Sequence, residues 1–443
     1  MRSVDPPDPA QLTGIRARRN GLIRHRVPDL SRQQWAVLAL VSIASLFNQY
    51  DRALFALALP QIQASLAIDE AHVGYLGSIV RLGALPAFAV AVVSDRIGRR
   101  RALLGTIVAY TLLTGATALV PSATSFVACQ FLSTAFSQAQ VILAVVVLAE
   151  ELDAEHRGWG IGVFYAIQAT GAGLAAALLP LVDTTREGWR ILYAVGLVPL
   201  SLLALWWRRL PETRRFDAYR HGESRSQLWA GGFLAPVVAL ASSYPRRFLS
   251  LMAVVFFFSV GVAAADFMGP KYLQQAHGWA PAQVTLLYLT GGALGILGSV
   301  VAGRASDRGG RRRVTVAFGL AAVVFILFFY NAAGPLIPIA WVAGIFASLG
   351  HDTLLGTFGA ELFPTSHRAT AGGARVVAMT IGGALGLAAE SLLYEVLGSH
   401  WSAISLLLLI VAIGPLIVAV AFPETAGISL EEIAPERARK ESR

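Results

Sequence analysis

Two basic stretches of this chain repeat each other at all but one position. Residues 94–101 read SDRIGRRR, and residues 306–313, just under half the chain length further on, read SDRGGRRR. Two other polar landmarks recur at the same offset to within one residue. Pro-Glu-Thr occurs at residues 211–213 and again at 423–425, and the pair Glu150 and Arg157 recurs as the pair Glu361 and Arg368. Since three separate landmarks keep register, the sequence predicts two halves that fold alike and pack as pseudo-symmetric partners.

The composition indicates that these halves lie in a membrane. Of the 443 residues, 55% are hydrophobic and only 14% are charged, whereas charged residues make up about a quarter of a typical soluble domain. A helix needs roughly 20 apolar residues to cross the hydrocarbon core. Twelve stretches meet that requirement and are predicted to span the membrane: 36–63, 72–93, 102–121, 124–149, 158–181, 189–209, 247–271, 282–303, 314–332, 335–362, 369–396 and 401–422.

The distribution of cations predicts the orientation of the chain. If both termini are cytoplasmic, nearly all of the 36 Lys and Arg residues fall in the tails and the inner loops, as the positive-inside rule requires. We therefore expect a multi-pass protein of the plasma (inner) membrane. The predicted parts are a cytoplasmic tail (1–35), a six-helix bundle (36–209), a cytoplasmic linker (210–246), a second six-helix bundle (247–423) and a second cytoplasmic tail (424–443).

Several classes of protein are disfavoured. The formal net charge of +9 reflects cations beside membrane spans, where they meet anionic lipid headgroups, and no nucleic-acid-binding module is visible. The sequence also has no phosphate-cradling loop, no nucleophile elbow and no metal-spaced His/Cys cluster. A single Cys129 excludes an internal disulfide. We expect no enzyme activity, no metal and no cofactor.

The repeated loop resembles a known signature. Asp-Arg-x-Gly-Arg-Arg between the second and third spans, and again between the eighth and ninth, is similar to the signature loop of major facilitator superfamily transporters. The resemblance covers about residues 36–430 and implies an all-α membrane protein with twelve helices in two six-helix bundles. The Pro-Glu-Thr runs look similar to sugar porters and metabolite:proton symporters, and Asp51-Arg52 in helix one looks similar to anion:cation symporters.

The resemblance also implies a cytoplasmic gate. Its glycines allow a tight turn, its arginines hold the turn at the headgroup level, and its acids latch one bundle against the other when the inner side is closed. The residues implied are Asp95, Arg96, Gly98, Arg99, Glu150, Arg157, Asp307, Arg308, Gly310, Arg311, Glu361 and Arg368.

Charges within the spans that do not repeat are candidates for transport itself. The positions equivalent to Asp51, Arg52, Arg81 and Glu390 in the other repeat are occupied by apolar or small residues. A charge near the bilayer centre costs at least about 2.5–3.5 kcal/mol, so each should pair or face a water-filled cavity. Neighbouring helical residues point about 100° apart, so Arg52 is expected to face the cavity and bind an anion. Asp51 is then expected to pair with Arg81, statically or as a proton-exchanging group.

Other polar residues in the spans are weaker candidates. Gln140 and His351 occupy equivalent repeat positions and are hypothesised to face each other across the cavity, although a hydrogen-bonded core histidine is an equal alternative. Asp266 lies near Lys271 in the sequence and is either an outer gate charge or a boundary residue. Glu390 and Glu395 are interpreted as boundary charges. The remaining candidates for the substrate or proton are Gln168, Asp352 and Arg375.

These observations favour one function among several. We expect a secondary active transporter that carries a small organic anion, a carboxylate metabolite, with protons as the coupling ion, by alternating access and as a monomer. A neutral sugar or polyol porter, a multidrug or metabolite exporter, and a non-transporting membrane scaffold or sensor remain alternatives.

Overall fold

The computed structural model describes residues 28–87, 89–90, 98–153, 155–201 and 235–434. Both predicted tails lie partly outside these ranges, and so do Asp95, Arg96 and most of the predicted linker. The helices of the first half are α1 (Arg32–Leu57), α2 (Leu59–Ser65), α3 (Val73–Leu82), α4 (Arg99–Thr117), α5 (Ala123–Glu151), α6 (Arg157–Leu178) and α7 (Gly188–Val195). Those that follow are α8 (Ala235–Ser243), α9 (Pro245–Lys271), α10 (Pro281–Gly309), α11 (Arg311–Asn331), α12 (Leu336–Glu361), α13 (Arg368–Leu397), α14 (His400–Val411), α15 (Ile413–Ala421) and α16 (Leu430–Ile433).

The helices begin where the local sequence provides a start. Ser31 and Ser122 each form a reciprocal capping box at the start of α1 and α5, which satisfies amide donors that have no partner inside the helix. The glycines of the repeated run, Gly98 (φ +102°) and Gly310 (φ +95°), stand immediately before α4 and α11. A side chain would strain the backbone at these angles, so the repeated glycine sets the entry of both helices.

The predicted all-α membrane fold is confirmed. The described residues contain no strand, and eight of their helical segments are long and apolar enough to cross a membrane. These eight correspond to the predicted spans four, five and seven to twelve. The other four predicted spans are represented by α1 with α2, α3, α4 and α7, whose described helices are shorter or less apolar.

The helix packing repeats between the halves, as a duplication predicts. In the first half α1 packs on α6 and α4 on α5, while in the second half the equivalent helices α9 and α13, and α11 and α12, pack together. The contacts between the halves run from α3 to α13, from α6 to α10 and from α1 to α9. The result is two bundles with three helix pairs facing each other at their boundary.

Within the part of the chain that the structure describes, the apolar cores of the two bundles join at one end only. We call the end that carries Gly98 and Gly310 the basic end, and the opposite end the far end. Towards the far end one buried cluster includes residues of both bundles, among them Phe55 and Met268. At the basic end each bundle has a separate core, one around Leu104 and Leu148 and one around Leu251 and Phe358. The described parts of the two bundles are therefore packed together at the far end and have separate cores at the basic end.

Candidate functional site between the two bundles

An aromatic layer closes the space between the bundles on the far side. The rings of Phe55 in α1 and Phe267 in α9 meet edge to face, with centroids 4.9 Å apart. A Cβ added to Gly77 in α3 would lie 3.0 Å from the Phe267 ring. Three helices from both bundles thus meet in this layer, which separates the far end from the space below it.

Two arginines lie one helical turn below this layer, on the side of the basic end. Arg52 precedes Phe55 by three residues in α1 and is exposed, and Arg81 follows Gly77 by four residues in α3. Arg81 Nη2 donates to the Met379 carbonyl oxygen at 3.4 Å, so it reaches the opposite bundle. Both cations therefore lie at mid-depth in the space that opens to the basic end.

A carboxylate of the second bundle faces these cations. Asp266 is exposed beside Phe267 and lies within electrostatic reach of Arg81, as Arg52 does. Among the described residues, neither Arg52 nor Asp266 has an ion-pair partner within 4.0 Å. Lys271, which the sequence suggested as a neighbour of Asp266, binds other groups instead. The site therefore contains two arginines and one aspartate, with Arg52 free to accept an anion.

Asp51 points away from this space, and the expected ion pair between Asp51 and Arg81 is not formed. The Asp51 carboxylate is buried inside the first bundle, where Ser133 Oγ donates to Oδ2 at 3.0 Å. Thr114 Oγ1 lies 3.2 Å from the same serine oxygen. The second oxygen, Oδ1, is buried without a hydrogen-bond partner among the described residues. Because Asp51 and Arg52 are successive residues of one helix, the packing of α1 on α5 buries one and leaves the other in the cavity.

Gln140 and His351 do not face each other across the cavity, contrary to the hypothesis. Gln140 is fully buried and exchanges hydrogen bonds with Ser45 at 3.0–3.2 Å inside the first bundle. His351 is fully buried inside the second bundle, with Nδ1 3.0 Å from the Thr315 carbonyl oxygen and its ring against Phe258. Both repeat positions face the interior of their own bundle, so they share an environment without sharing a site.

The remaining candidates from the sequence are more accessible. Arg375 Nη1 lies 2.8 Å from Asp352 Oδ1 in an ion pair between α13 and α12. Gln168 in α6 is half-buried, and no hydrogen bond of its side chain is found within the described ranges. Arg375 therefore has a carboxylate partner already, whereas the amide of Gln168 is available to a ligand.

At the basic end, the charges of the repeated motif bind within their own bundles. Arg311 holds Glu361 with two hydrogen bonds of 2.6 and 3.2 Å and also binds Asp307 at 2.8 Å. In the first half, Arg99 Nε lies 3.4 Å from Glu150 Oε1. Arg368 donates to the Phe363 carbonyl oxygen at 3.4 Å. The remaining gate residues implied by the resemblance are Arg157 and the exposed Arg308, together with Asp95 and Arg96, which lie outside the described residues. The latch between bundles implied for the acids stays a prediction.

The second Pro-Glu-Thr run completes this network. Glu424 accepts hydrogen bonds from the backbone N–H groups of Arg311 at 2.6 Å and Arg312 at 3.3 Å. These are the first residues of α11, so Glu424 occupies the positive end of the helix dipole. Thr425 Oγ1 donates to Glu361 at 2.6 Å. The Pro-Glu-Thr run therefore connects the segment after α15 to the start of α11.

Sequence reasoning missed a charged cluster at the far end. Glu390 is not a boundary charge: it is fully buried and lies 2.5 Å from His400 Nδ1. Lys271 is the buried last residue of α9 and contacts Glu70. The hydrogen bond from His400, together with Lys271 and against the opposing effect of burial, lowers the pKa of Glu70 to about 2. One sequence feature could have revealed this cluster, since Glu390 has no acidic counterpart in the first repeat.

Hydrogen bonds between the bundles follow the same pattern as the cores. Among the described residues, those that join the bundles lie at mid-depth or towards the far end, from Arg81–Met379 through Tyr75–Ser391 and Thr285–Ala176 to Gln61–Gln274. The cavity that contains Arg52 and Asp266 therefore opens towards the basic end.

The sequence matches known proteins over most of its length. Residues 41–360 match the profile of the Major Facilitator Superfamily. The chain belongs to this superfamily. It is 29% identical to a gallate transporter of Pseudomonas putida over 77% of this chain and 81% of that protein. It is 26% identical to a probable 4-methylmuconolactone transporter of Cupriavidus pinatubonensis over 87% of this chain and 90% of that protein.

Solved structures agree on the fold. The inward-open xylose transporter XylE of E. coli superposes with a TM-score of 0.72 at 16% identity, over 90% of this chain and 99% of that one. As a member of the major facilitator superfamily, the chain is an integral multi-pass membrane transporter of small molecules and not an enzyme. The predictions on fold class and transport are confirmed at that level.

Proposed function

We propose that this transporter carries a small aromatic or unsaturated carboxylate across the plasma membrane in symport with protons. The observation that carries the proposal is Arg52, a cavity-exposed cation at mid-depth without an ion-pair partner among the described residues. An isolated charge at this depth is costly, and an anionic ligand would offset that cost. Arg81 supplies a second cation one turn below the same aromatic layer, and Asp266 balances one of the two charges.

The aromatic layer favours a flat ligand. Phe267 is partly exposed and lies next to Asp266 in α9, while Phe55 is 6% exposed and packs against the Phe267 ring. Aromatic rings pack well edge to face or offset on such a surface. A ring-bearing carboxylate would place its charge on Arg52 and its ring against Phe267. The gallate transporter among the relatives supports this class, because gallate is an aromatic carboxylate.

Proton coupling is assigned to Asp51. Its carboxyl group is buried beside Ser133, and one of its oxygens has no hydrogen-bond partner in the described part of the chain. Burial disfavours the charged form of a carboxyl group, so a change in solvent access during transport would bind and release a proton. Alternating access follows from the two bundles rocking about the site, with both termini cytoplasmic and the protein acting as a monomer.

Uptake into liposomes tests the substrate class. Purified protein is reconstituted and offered gallate, benzoate or xylose with an imposed pH gradient. We expect saturable uptake of at least one aromatic carboxylate that depends on the gradient. Arg52→Gln should reduce affinity about tenfold or more, because a hydrogen bond to a charged group contributes about 1.5–3 kcal/mol. Arg186→Gln, at an exposed loop position, is the matched control and should retain uptake.

The neutral-sugar alternative makes the opposite prediction. A sugar or polyol porter needs no cation at this depth, so Arg52→Gln would leave its affinity nearly unchanged. Saturable xylose uptake that is indifferent to Arg52→Gln, without carboxylate uptake, would overturn the anion proposal.

A further inference from the structure

Four ionisable side chains from four separate segments meet at the far end of the molecule. His400 lies between two carboxylates, with Nδ1 2.5 Å from Glu390 Oε1 and Nε2 2.9 Å from Glu70 Oε2. Lys271 contacts the same Glu70 oxygen and donates to Gln63 Oε1 at 2.7 Å. Lys271 and Glu390 are fully buried, and His400 is 5% exposed. The cluster is a built interior site and not a set of solvated loop charges.

The hydrogen-bond geometry around His400 determines how many protons the site holds. A carboxylate oxygen accepts hydrogen bonds, and a neutral imidazole has only one N–H to donate. Both ring nitrogens of His400 lie at hydrogen-bond distance from carboxylate oxygens. Both contacts are satisfied together only when the site holds one proton more than a neutral ring between two carboxylates, and with both carboxyl groups ionised that proton lies on the ring. The imidazolium and Lys271 then balance the two carboxylates, which leaves the buried cluster without net charge.

The cluster straddles the boundary between the bundles. Glu70 and Gln63 belong to the first bundle, while Lys271, Glu390 and His400 belong to the second. Opening of the far end must separate Glu70 from His400 and Lys271. His400 would then keep Glu390 but lose Glu70, and it would bind its extra proton less tightly, because a nearby opposite charge favours the charged form. Contact with water acts in the opposite sense, since burial by itself disfavours the charged ring.

We propose that Glu70, Lys271, Glu390 and His400 form a proton-binding site that is complete only when the far end is closed. Closure takes up one proton at His400 from the far-side medium, and opening releases it. Acidity on the far side therefore favours the closed far end. This site is separate from Asp51 and the cavity, and it acts with or without substrate.

The other groups around the cluster define the controls. Tyr394 stacks on His400 with ring centroids 4.1 Å apart, and the exposed pair of Asp69 and His72 lies next to Glu70 in the chain. The remaining titratable neighbours, on α11, α13 and the turn that follows α9, are Tyr330, Glu395, Tyr272 and His277. Tyrosines ordinarily titrate near pH 10 and carboxylates near pH 4. Of these described neighbours, only His72 and His277 carry an imidazole ring.

Distance measurements on the full chain test the site without substrate. Spin labels are attached at Leu119→Cys and Val396→Cys, two strongly exposed far-end positions, one in each bundle, in a Cys129→Ser background. Pulsed electron resonance reports the closed and open populations in nanodiscs between pH 5 and pH 8. For one linked proton, the ratio of closed to open should rise by up to about tenfold for each pH unit of acidification.

Variants assign the effect to His400. His400→Gln and Glu390→Gln should abolish the pH dependence, while His72→Gln, the matched control in the same region, should retain it. A pH-independent ratio in the unsubstituted label pair would overturn the proposal, and this result requires no His400 variant to fold. Unchanged pH dependence in His400→Gln would also overturn it. Neither outcome bears on carboxylate uptake, which the Arg52 experiment tests separately.

Discussion

Gly74 of the first bundle lies directly against the backbone of Leu387 in the second. A Cβ added at Gly74 would lie 2.4 Å from the Leu387 carbonyl oxygen and 2.6 Å from Glu390 Oε2. This is a contact between α3 and α13 at the far end, next to the proton-binding cluster. The absence of a side chain at residue 74 is therefore a condition for closing that end.

Gly74→Ala should favour the far-open state. Its methyl group cannot be accommodated by a small side-chain shift because the nearest atom belongs to the backbone. We expect a smaller closed population in the spin-label measurement and slower uptake. Gly105→Ala is the matched control, since a Cβ at Gly105 meets nothing within 4 Å. A normal closed population in Gly74→Ala would show that the helices can separate slightly without opening.

Asp51→Asn should uncouple transport from the pH gradient. The amide resembles the protonated carboxyl group in size and can still accept a hydrogen bond from Ser133. We expect loss of gradient-driven accumulation but retention of binding and substrate exchange, which needs no net proton release. Ser133→Ala, which removes the hydrogen bond and keeps the carboxylate, should retain accumulation. Accumulation at wild-type rates in Asp51→Asn would exclude this residue as the coupling group.

The two carboxylates that bind Arg311 should differ in their effect on stability. Glu361 and Arg311 are 13% and 12% exposed, whereas Asp307 is 66% exposed. Glu361→Gln should lower the free energy of unfolding by about 1.5–3 kcal/mol, the contribution of hydrogen bonds to charged groups. Asp307→Asn should lower it by less than about 1 kcal/mol, as for exposed pairs. Thermal unfolding in detergent measures both, and equal effects would contradict the difference in burial.

Glu424 should make the basic end sensitive to acid. Burial acts to raise the pKa of Glu424, but backbone N–H groups of Ala426, Arg311, Arg312 and Thr425 outweigh it, so the pKa lies below its ordinary value. The stabilisation is therefore present above the ordinary pKa and lost as the pH falls through the lowered one.

Glu424→Gln should remove this acid-dependent part of the stability. Comparing thermal unfolding at pH 7 and pH 4, the loss on acidification should be smaller in Glu424→Gln than in the wild type. Glu395→Gln, at an exposed position, should behave as the wild type. A variant that loses as much stability as the wild type would show that Glu424 is not linked to folding.

The sequence by itself determined the fold and the family. Membrane thickness sets the length of each apolar stretch, and topology sets where the arginines and the repeated SDR-x-GRRR run lie. Both constraints apply to consecutive residues, so their effects can be read from the sequence. The unrepeated charges Arg52 and Arg81 were also visible, because a charge at mid-depth stands out in an apolar helix. Helix geometry further indicated that Asp51 and Arg52 must point in different directions.

Only the tertiary structure decided which groups these charges meet. Helix periodicity relates residues within one helix, but the rotation of each helix against its neighbours is set by packing across the bundle. For this reason Asp51 meets Ser133 and not Arg81, and His351 meets the Thr315 backbone. The far-end cluster joins residues as distant in sequence as Glu70 and His400. Such contacts exist only when both bundles are assembled and closed together, so no local pattern of residues could encode them.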